Sequence, residues 1–501
     1  MPEIYDIELM KSNSKKIFSD LLAYAADAVG TTELHDFEKN VFEQLQKLGL
    51  ALLKNFIANS GTGYDADNPP VDDTNKPLRY KGTTQSPYFS IFGELSIKRA
   101  RYQTDDGSYY HPLDSQLNLP AQKYSYLLQK WLQASAVQTN YQKAAELLNE
   151  IFDHKLYACT SQRIGKKASD HVDEFNDQAP APSAETEASH LGISADGKGI
   201  RMLPSERDND TQGQTQQPRL GRGEKRGTKK QSTVTVDFSF NPAARTAEEI
   251  VASLLKERVK TQTATDATSD KSPARTAQNK HVRATLDGKE NAMNYLMQRI
   301  KKRDPSNTKP IIALIDGDNS QKRALDKALK KYKLYRRLDA TILDIIHVAE
   351  YLWAVGTALN GEYNDKRLPW IREKLMAILQ GNVGRVIGGF KQMITKKTTT
   401  SAQKHILQRT ITYFENHREM MNYHIYLEKG YPIATGLVEG TCNCLVKDRM
   451  EQSGMRWSKQ GATAILKQRA VKLNNDWNSF WDSFMSSQKK VLYPNYHRAA
   501  A

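Results

Sequence analysis

Two acidic residues of this chain interrupt or end apolar runs. Asp196 lies within "LGISADGKGIRML", residues 191–203, and Asp316 follows the apolar residues 311–315 in "KPIIALIDGDNS". A buried strand that ends in Asp-Gly places a carboxylate at the edge of a sheet, where a metal ion or a substrate can reach it. Asp-Gly is also common in ordinary turns, so each motif alone is open to a purely structural interpretation.

A third carboxylate stands where helical spacing favours an apolar residue. Glu439 lies between Val438 and Gly440, at the start of a stretch with helical spacing. An acidic residue in the first turn of a helix is favoured by the helix dipole, so a structural role stays open. Carboxylates are hard oxygen ligands for Mg²⁺ or Mn²⁺. Two such ions about 4 Å apart can activate a water or hydroxyl and stabilise the leaving oxygen in phosphodiester cleavage.

Three further polar residues are accessory candidates for the same site. Asp318 follows Asp316 by two residues and is an alternative ligand. In "LDIIHVAEYLW", Asp344 closes an apolar strand and His347 lies in the helix that opens there. A histidine at such a junction is commonly a hydrogen-bonded structural residue, although near phosphates it can orient or protonate them.

The overall charge indicates a polyanionic partner. The 501 residues include 72 Lys and Arg against 57 Asp and Glu, which gives a net charge of +15. Nucleic acid is the first candidate for such a partner. No apolar run approaches the roughly 18–20 residues that span a bilayer, so we expect no membrane partner. The three cysteines allow neither a disulfide framework nor a four-cysteine zinc site, which favours a reducing cytoplasm.

The first part of the chain is predicted to be mainly helical. Residues 32–58 carry apolar side chains on one helical face, which is typical of a core or dimer-forming helix. Residues 60–85 are rich in Gly, Asp, Asn and Pro and predict a loop, whereas residues 88–103 alternate as a strand does. The apolar face of the helix comprises Phe37, Val41, Leu45, Leu48, Leu52 and Phe56.

Helical patterns follow at 121–136, 140–153 and 160–172. The last two segments have the proportions of a helix-turn-helix, in which the second helix enters a major groove of DNA and the first braces it. A basic helix on a solvated surface is the alternative interpretation. The side chains that would face the DNA are Gln162, Arg163, Lys166 and Lys167.

A composition change predicts a boundary near the middle of the chain. Residues 173–189 combine Pro, Ala and acids with almost nothing to bury, which predicts a linker. Beyond it, residues 232–240 predict a strand and residues 246–259 predict an amphipathic helix. The polar stretches 204–229 and 261–285 are expected to be loops or insertions inside the second domain.

Four motifs together resemble a known family. The segments "SADGKG", "LIDGDN", "LDIIHVAEYLW" and "GLVEGTCNCLVKDRMEQSGMRWSKQGATAIL" are similar to bacterial insertion-sequence DDE transposases of the ISKra type, a group related to the Mutator-like transposases. The last motif is the most specific of the four. The resemblance extends to residues 32–58, 111–120, 140–172 and nearly everything from 190 to 482.

The resemblance implies a fold and a division into domains. The fold would be an α/β RNase H-like catalytic core with a helical insertion, plus a mainly α-helical N-terminal DNA-binding region. The implied order is an N-terminal helical region, a helix-turn-helix-like domain, a linker, the first part of the core, the insertion, the final part of the core and a tail. Their bounds would be 1–85, 86–175, 176–189, 190–359, 360–430, 431–485 and 486–501.

The resemblance also implies roles for single residues. Asp196 on the first strand, Asp316 at the end of a later strand and Glu439 on a helix beneath the sheet would be the catalytic ligands of two Mg²⁺ or Mn²⁺ ions. Arg456 and Trp457, in "SGMRWSKQG", would contact a DNA backbone and stack on a base, although Trp457 could equally belong to the core.

The implied function is binding of insertion-sequence ends followed by DNA cleavage and strand transfer. The partners would be double-stranded DNA, as terminal inverted repeats and target, and a second or further copy of the chain on that DNA. The location would be the bacterial cytoplasm, in association with the nucleoid. Two alternatives stay open: a catalytically inactive transposase-derived DNA-binding protein, and a nuclease without strand transfer.

Overall fold

The computed structural model is of the mixed α/β class. It describes residues 7–72, 74–183, 185–206, 229–255, 277–396, 398–434, 440–493 and 497–498. The chain separates into two compact units, one of residues 1–177 and 475–501 and the other of residues 178–474. No helix among the described residues is long and apolar enough to cross a membrane.

The first unit combines helices with two antiparallel sheets, one of residues 79–90, 93–103 and 109–110 and one of residues 70–71 and 497–498. Its elements are α1 (Ile7–Asp27), α2 (Leu34–Asn59), β1 (Pro70–Val71), β2 (Arg79–Ser90), β3 (Gly93–Gln103), β4 (Tyr109–Tyr110), α3 (Pro112–Leu117), α4 (Tyr126–Ala136), α5 (Tyr141–Phe152), α6 (Ala158–Asp170) and α7 (Val172–Gln178), followed near the C-terminus by α18 (Trp477–Leu492) and β10 (His497–Arg498).

The helix predicted at 32–58 is present as α2, and α1 precedes it. The two helices run in opposite directions and the ring of Tyr24 stacks on Phe37, with 5.5 Å between the ring centroids. At its other end α2 joins the strands, because Ile57 shares an apolar cluster with Leu95 of β3. The two N-terminal regions that the sequence suggests therefore form one unit.

Helices α4, α5 and α6 pack on one another, in the part of the chain where three helices are predicted. Two of them begin at side-chain caps. The Ser125 hydroxyl accepts a hydrogen bond from the Leu128 amide at 3.1 Å, and the Asn140 side chain accepts one from the Lys143 amide at 2.8 Å. Such caps satisfy amides that a helix start leaves without an intrahelical partner.

The last long helix differs from the prediction. Residues 431–485 are expected to complete the catalytic core, but α18 belongs to the first unit. Its Phe480 packs edge-on against Phe175 of α7 with ring centroids 5.5 Å apart, and its Phe484 lies 6.0 Å from the ring of His171. The aromatic residues of α18 therefore complete the core of the first unit.

The second unit is built around one five-stranded sheet. Its elements are β5 (His190–Arg201), β6 (Lys229–Phe240), α8 (Ala247–Leu254), β7 (Gln278–Thr285), α9 (Lys289–Arg303), β8 (Ile311–Ile315), α10 (Asn319–Lys331), β9 (Leu338–Leu343), α11 (Ile345–Asn360), α12 (Arg367–Leu379), α13 (Val383–Thr395), α14 (Ser401–Asn416), α15 (Tyr423–Glu428), a π-helical segment (Asn443–Lys447), α16 (Asp448–Met450) and α17 (Lys459–Leu473).

The strand order of this sheet is β7-β6-β5-β8-β9. β6 is antiparallel to both β5 and β7, whereas β8 is parallel to β5 and β9 is parallel to β8. The strands predicted in 191–203, 232–240 and 311–315 are present as β5, β6 and β8. The carboxyl ends of β5, β8 and β9 therefore meet at one edge of the sheet.

β7 contradicts the prediction of a loop over 261–285. Val282 and Ala284 are buried, whereas Arg283 lies over the ring of Tyr295 on the neighbouring helix α9. Polar residues such as Arg283 hide the apolar alternation that would otherwise mark a strand.

Other predicted loop residues lie outside the described part of the chain. These are residues 207–228 and 256–276, and the second range includes the end of the helix predicted at 246–259.

A buried ion cluster ties α9 to the sheet. Arg303 donates hydrogen bonds to the two carboxylate oxygens of Glu187 at 2.7 and 2.8 Å, and one to Asp237 at 2.7 Å. Arg299 donates to Asp237 at 2.9 and 3.1 Å. Burial alone would raise the pKa of the Asp237 carboxyl, but Arg299, His281 and Arg303 hold this pKa below its usual value. Because Glu187 is buried in this cluster, the end of the predicted linker is part of the core.

Helices fill the segment 360–430, which is predicted to be a helical insertion. α11 packs on α12 and α14, and α13 packs on α14. Phe390 of α13 and Phe414 of α14 are fully buried, with 6.4 Å between their ring centroids. This helical layer begins directly at the end of β9, through α11.

Replacement of Arg303 tests the importance of the ion cluster for stability. Arg303→Met leaves Glu187 without its bidentate partner and Asp237 with one fewer, both buried. We expect a loss of about 3–5 kcal/mol in the free energy of unfolding, because an uncompensated buried charge is costly. Urea unfolding followed by circular dichroism measures this loss. The control is Lys327→Met, which removes an exposed pair with Glu290 and should cost less than about 1 kcal/mol. An equal effect of both variants would contradict this role.

Candidate active site

The register of the sheet brings Asp196 and Asp316 together. In the parallel pair of β5 and β8, Ser194 lies opposite Leu314. Asp196 follows Ser194 by two residues on β5, and Asp316 follows Leu314 by two residues, directly after the end of β8. Neighbouring strands lie about 4.8 Å apart, and residues at matching positions project to the same face. Burial raises the pKa of the Asp316 carboxyl, and the negative charge of Asp196 raises it further, as is expected for neighbouring carboxylates.

Asp344 follows at the next strand end. Ile315 lies opposite Leu343, and the Asp344 amide donates to the Ile315 carbonyl at 2.9 Å. The Asp344 side chain is buried and accepts a hydrogen bond from the Ile346 amide at 2.9 Å, which caps α11. Asp196 within β5 and the two aspartates that directly follow β8 and β9 therefore lie on adjacent strands of the sheet, and Asp344 also begins a helix.

The hydrogen bonds described for the first two carboxylates come from backbone amides. Asp196 accepts from the Gly197 amide at 2.6 Å, and Asp316 accepts from the Asp318 amide at 2.9 Å. Burial raises the pKa of the Asp316 carboxyl, the Asp318 amide lowers it, and Asp196 raises it again, so that it lies above its usual value. Within the described part of the chain, no lysine or arginine forms an ion pair with either carboxylate.

His347 lies in the first turn of α11, beside these acids. Its Nδ1 is 3.1 Å from the Glu350 carboxylate. Burial lowers the pKa of His347, but Asp344, Glu350 and Asp316 together raise it above its usual value. The imidazole of His347 therefore holds a proton more readily than a free histidine does, and it lies close to the Asp316 carboxylate.

Asp318 has a structural role. Its carboxylate caps α10 by accepting hydrogen bonds from the Ser320 and Gln321 amides at 2.7 and 3.2 Å, and it pairs with Lys289. Burial raises the pKa of Asp318, but the hydrogen bonds of Lys289 and Ser320 lower it well below its usual value. Its ion pair and helix cap explain the position of Asp318 without a ligand role, which distinguishes it from Asp316.

Tyr413 of α14 belongs to this site, although nothing in the sequence singles it out. Its hydroxyl donates to the Asp316 carbonyl at 2.8 Å. Gly317 next to it has a φ of +88°, and a Cβ at this position would lie 2.8 Å from the Tyr413 hydroxyl. Only glycine meets both conditions without strain. A tyrosine on the inner face of an amphipathic helix gives no signal that separates it from an ordinary core residue.

A cavity of about 380 Å³ opens beside Tyr413. The ring of Tyr351 stacks on Tyr413 at 4.1 Å, and the guanidinium of Arg409 lies 5.2 Å from the Tyr351 ring centroid. His417 is buried, its Nδ1 bonds to the Tyr413 carbonyl at 2.7 Å, and its Nε2 has no hydrogen-bond partner among the described residues. The other lining residues are His405, Gln408, Thr412 and Asn416. A cation and stacked rings thus share one concave surface.

Glu439, the third predicted ligand, lies outside the described residues. Soon after it, the π-helical segment packs against β5, the strand of Asp196. Among the described residues, no group of three or more histidines, cysteines, aspartates and glutamates is placed to hold a metal ion. The structure therefore brings together two of the three predicted ligands.

The predicted DNA-facing residues of α6 lie on its accessible side. Arg163 and Lys167 are exposed, and Gln162 and Lys166 are half-buried. The opposite side of α6 is buried, with Ile164 fully enclosed by the neighbouring helices. The basic residues thus form one face that a partner can reach.

Arg456 and Trp457 have different surroundings. Arg456 is exposed, whereas Trp457 is buried and its indole donates to the Met450 carbonyl at 3.1 Å. Its backbone pairs with Met202 beyond the end of β5. Of the two roles open to Trp457 from the sequence, the core role is the one found, because a buried indole in this position cannot stack on a base.

Comparison of the sequence with protein-family models and with curated proteins finds no match to either.

Replacement of Glu350 tests the electrostatics of His347. Glu350→Gln removes a negative charge that lies 3.1 Å from the imidazole, so we expect the pKa of His347 to fall. Because the folded pKa is above the unfolded value of 6.5, the charge contacts of His347 stabilise the fold fully below about pH 6.5 and lose this effect as the pH rises through the folded pKa. The variant should therefore lose stability mainly at acidic pH.

Nuclear magnetic resonance of the histidine ring carbons during a pH titration measures the shift. The control is Glu362→Gln, an exposed carboxylate beyond the end of α11, which should leave the titration of His347 unchanged. A His347 titration that does not move in Glu350→Gln would refute the assignment.

Proposed function

We propose that this protein is a DDE transposase, which binds insertion-sequence ends and catalyses metal-dependent DNA cleavage and strand transfer. The observation that carries the proposal is the pair of Asp196 on β5 and Asp316 directly after the parallel strand β8, each two residues beyond the paired Ser194 and Leu314. Mutual repulsion between such carboxylates costs stability unless a cation offsets it. A pair of this kind, with one raised pKa at the edge of a sheet, is therefore typical of a functional site.

The strand order supports an RNase H-like core. The first strand of the unit is central, with an antiparallel neighbour on one side and a parallel neighbour on the other. In such a core the acid of the first strand lies beside the acid of a later strand, as the resemblance implies. Along the chain, the helices within 360–430 come after these strands and before the segment that contains Glu439. This order agrees with the implied insertion.

The chemistry of the acid pair fits a hard divalent cation. Asp196 and Asp316 supply carboxylate oxygens, and the amides of Gly197 and Asp318 fix one oxygen of each. Mg²⁺ or Mn²⁺, as two ions, would activate water and stabilise the leaving oxygen when bound there. Cation binding would also relieve the repulsion that raises the pKa of Asp316.

Glu439 is the proposed third ligand. The chain that follows it packs against β5 through the π-helical segment, and π-helical turns are frequent at functional sites. Asp196 lies on the face of β5 opposite to Ile193, whose partner Asp237 points to α9. The side chain of Lys280 on β7 projects from the same face of the sheet as that of Asp196. Lys280 also lies near Cys444 of the π-helical segment. The segment and Asp196 thus share one side of the sheet, which favours a role for Glu439 beside the pair.

The contribution of the chain to catalysis would be positioning. Strand register holds Asp196 beside Asp316, and Tyr413 fixes the turn at Gly317. His347, as an imidazolium, would offset negative charge on a phosphate next to Asp316. In the proposed reaction, water attacks the phosphodiester at a transposon end and releases a 3′-hydroxyl. This hydroxyl then attacks a target phosphodiester and displaces a new 3′-hydroxyl.

Two surfaces are suited to DNA. The accessible face of α6 offers Arg163 and Lys167 for phosphate or base contacts. The cavity beside Tyr413 offers Arg409 for a phosphate and the Tyr351 ring system for stacking against a nucleotide. The net charge of +15 favours DNA through release of counterions. The proposed partners are terminal repeats, target DNA and a second copy of the chain, in a bacterial cytoplasm near the nucleoid.

Removal of the acids tests the proposal. A plasmid with the DNA that flanks the gene serves as substrate, with Mg²⁺ or Mn²⁺, and gel analysis measures nicking and joining. Asp196→Asn, Asp316→Asn and Glu439→Gln should each lower cleavage by at least about a thousandfold and leave DNA binding intact. The matched control is Asp326→Asn on α10, a carboxylate paired with Lys322, which should cleave as the wild type does.

Divalent cations provide a second measurement that needs no DNA. Mg²⁺ or Mn²⁺ should raise the melting temperature of the wild type and of Asp326→Asn, but not of Asp196→Asn or Asp316→Asn. Chelation with EDTA should reverse the increase. Wild-type binding of the ends without cleavage in any metal would favour an inactive DNA-binding protein. Cleavage without joined products would favour a nuclease.

A salt series tests the proposed DNA face of α6. Arg163→Ala and Lys167→Ala should each weaken binding of a flanking duplex and reduce the dependence of log affinity on log salt concentration by about 1. Fluorescence anisotropy between 50 and 200 mM salt measures both effects. Lys39→Ala removes an exposed charge from α2 in the same unit and is the control. Equal slopes for all four proteins would show that α6 does not contact DNA.

A further inference from the structure

Helices α1 and α2 expose an apolar surface of unusual extent. Six large side chains are between 43% and 59% exposed: Phe18, Leu22, Phe42, Leu45, Leu52 and Phe56. Of the 21 residues of α1, only Ser14 is buried. An amphipathic helix normally covers its apolar side chains against a partner. The surface that α2 gives to α1 is therefore not sufficient to bury the helix pair.

The spacing of these residues places them on one side of the hairpin. The inner face of α1 follows Met10, Ser14, Ile17, Leu21 and Tyr24, and that of α2 follows Phe37, Val41, Gln44, Leu48 and Ala51, both at the three- and four-residue spacing of a helix seam.

In each helix the exposed apolar residues come one position after inner-face residues in the sequence. They therefore lie on the same side, or flank, of the inner face in both helices. Phe18 follows Ile17, Leu45 follows Gln44, and Leu52 follows Ala51 by one residue. The helices run in opposite directions, since Tyr24 stacks on Phe37 and Asn55 bonds to Ser14 at 3.4 Å. Equivalent flanks of antiparallel helices lie on the same side of the pair. The six residues thus form one continuous surface, which we call the hairpin face.

The size of the hairpin face matches half of a dimer interface. A large apolar side chain presents roughly 150–250 Å², so six of them at about half exposure offer on the order of 600 Å². A monomer rarely leaves a larger apolar patch open, and each partner in a standard interface contributes about 800 Å². The 21 residues of α1 also give the face a length of about 30 Å, which suits packing of helices along their whole length.

The two long segments outside the described residues are not suited to cover this face. Residues 207–228 contain one large apolar residue, Leu220, and residues 256–276 contain one, Val259. Such polar sequences cannot bury six large apolar side chains. A second hairpin face, in contrast, supplies an apolar surface of the same size and shape.

The charges at the two ends of the face favour an antiparallel pairing. Lys15 lies at the end where α1 begins, whereas Glu38 lies near the turn between the helices, and both are exposed. A twofold axis across the middle of the face would bring Lys15 of each copy to the same end of the interface as Glu38 of the other. Such self-complementarity is the property that a twofold interface requires.

We propose that the hairpin face binds a second copy of the same chain in antiparallel orientation, so that α1 and α2 of two copies form a four-helix bundle. Four-helix bundles bury the flanks that a helix pair leaves open. The dimer would exist without DNA. It extends the proposed function, because cleavage and joining of two DNA ends need two catalytic units, but it does not depend on that function.

The test is the mass of the full-length protein in solution without DNA. Light scattering after size-exclusion chromatography and sedimentation equilibrium should give a dimer at about 10 µM for the wild type. Leu45→Glu with Leu52→Glu should weaken dimerisation at least a hundredfold and give a monomer. Both residues are about half exposed, so the folded monomer tolerates them. Circular dichroism and the melting profile check that the variant is folded.

The matched control is Lys47→Gln with Lys54→Gln. These residues are exposed on the other flank of α2, and their replacement changes the net charge by the same amount. This control should remain a dimer. Asp196→Asn should also remain a dimer, so failure of the catalytic proposal and failure of the dimer proposal give different results. A monomeric wild type, or a Leu45→Glu, Leu52→Glu variant that still dimerises, would overturn the proposal.

A charge exchange tests the antiparallel orientation and needs no apolar substitution. Lys15→Glu and Glu38→Lys should each weaken the dimer several-fold, and the double variant should recover the wild-type affinity. Both positions are exposed, so the fold of the monomer is preserved. Additive losses in the double variant would exclude the contact between Lys15 and Glu38.

Discussion

The candidate site depends on one constraint, the parallel register between β5 and β8. Side chains alternate along a strand, so a shift of one residue would turn Asp196 away from Asp316 to the opposite face. The antiparallel pairing of β5 with β6 runs from His190 to Arg201 and holds β5 along its full length. β8 is fully buried and contributes only apolar residues up to Ile315. The first position at which β8 can offer a charge is therefore the one that lies beside Asp196.

The helical layer after β9 adds a second constraint. The Tyr413 hydroxyl donates a hydrogen bond to the Asp316 carbonyl and lies close to Gly317. α14 therefore determines the conformation of the turn that carries Asp316. Asp344 and His347 begin α11, on which α14 packs. Movement of these helices would thus reach the acid pair through the backbone of Asp316 and through the charge of His347. α14 therefore carries both residues that line the cavity and the hydroxyl that bonds to the Asp316 carbonyl.

The sequence predicts the parts of this arrangement that local pattern encodes. The apolar run before Asp316 and the helical face of residues 32–58 both correspond to elements of the structure, because burial alone dictates those patterns. Tyr413 and Glu187 could not be found in this way. Each is placed by a partner far along the chain, and neither interrupts a local pattern. Trp457 shows the limit of composition, since an aromatic next to an arginine suits DNA and core equally well, and only its burial decides.

Asp237 and Asp196 demonstrate why an acid in an apolar strand is not itself a functional signal. Both interrupt strands of the same sheet. They lie on adjacent strands, and their side chains project from opposite faces of the sheet. Asp237 points to α9, where Arg299 and Arg303 neutralise it. Asp196 points to the other face, where its close charged neighbour is Asp316. The two carboxylates therefore differ in the charge that the layer next to each of them supplies. In the proposed site, a bound cation would offset the repulsion between Asp196 and Asp316.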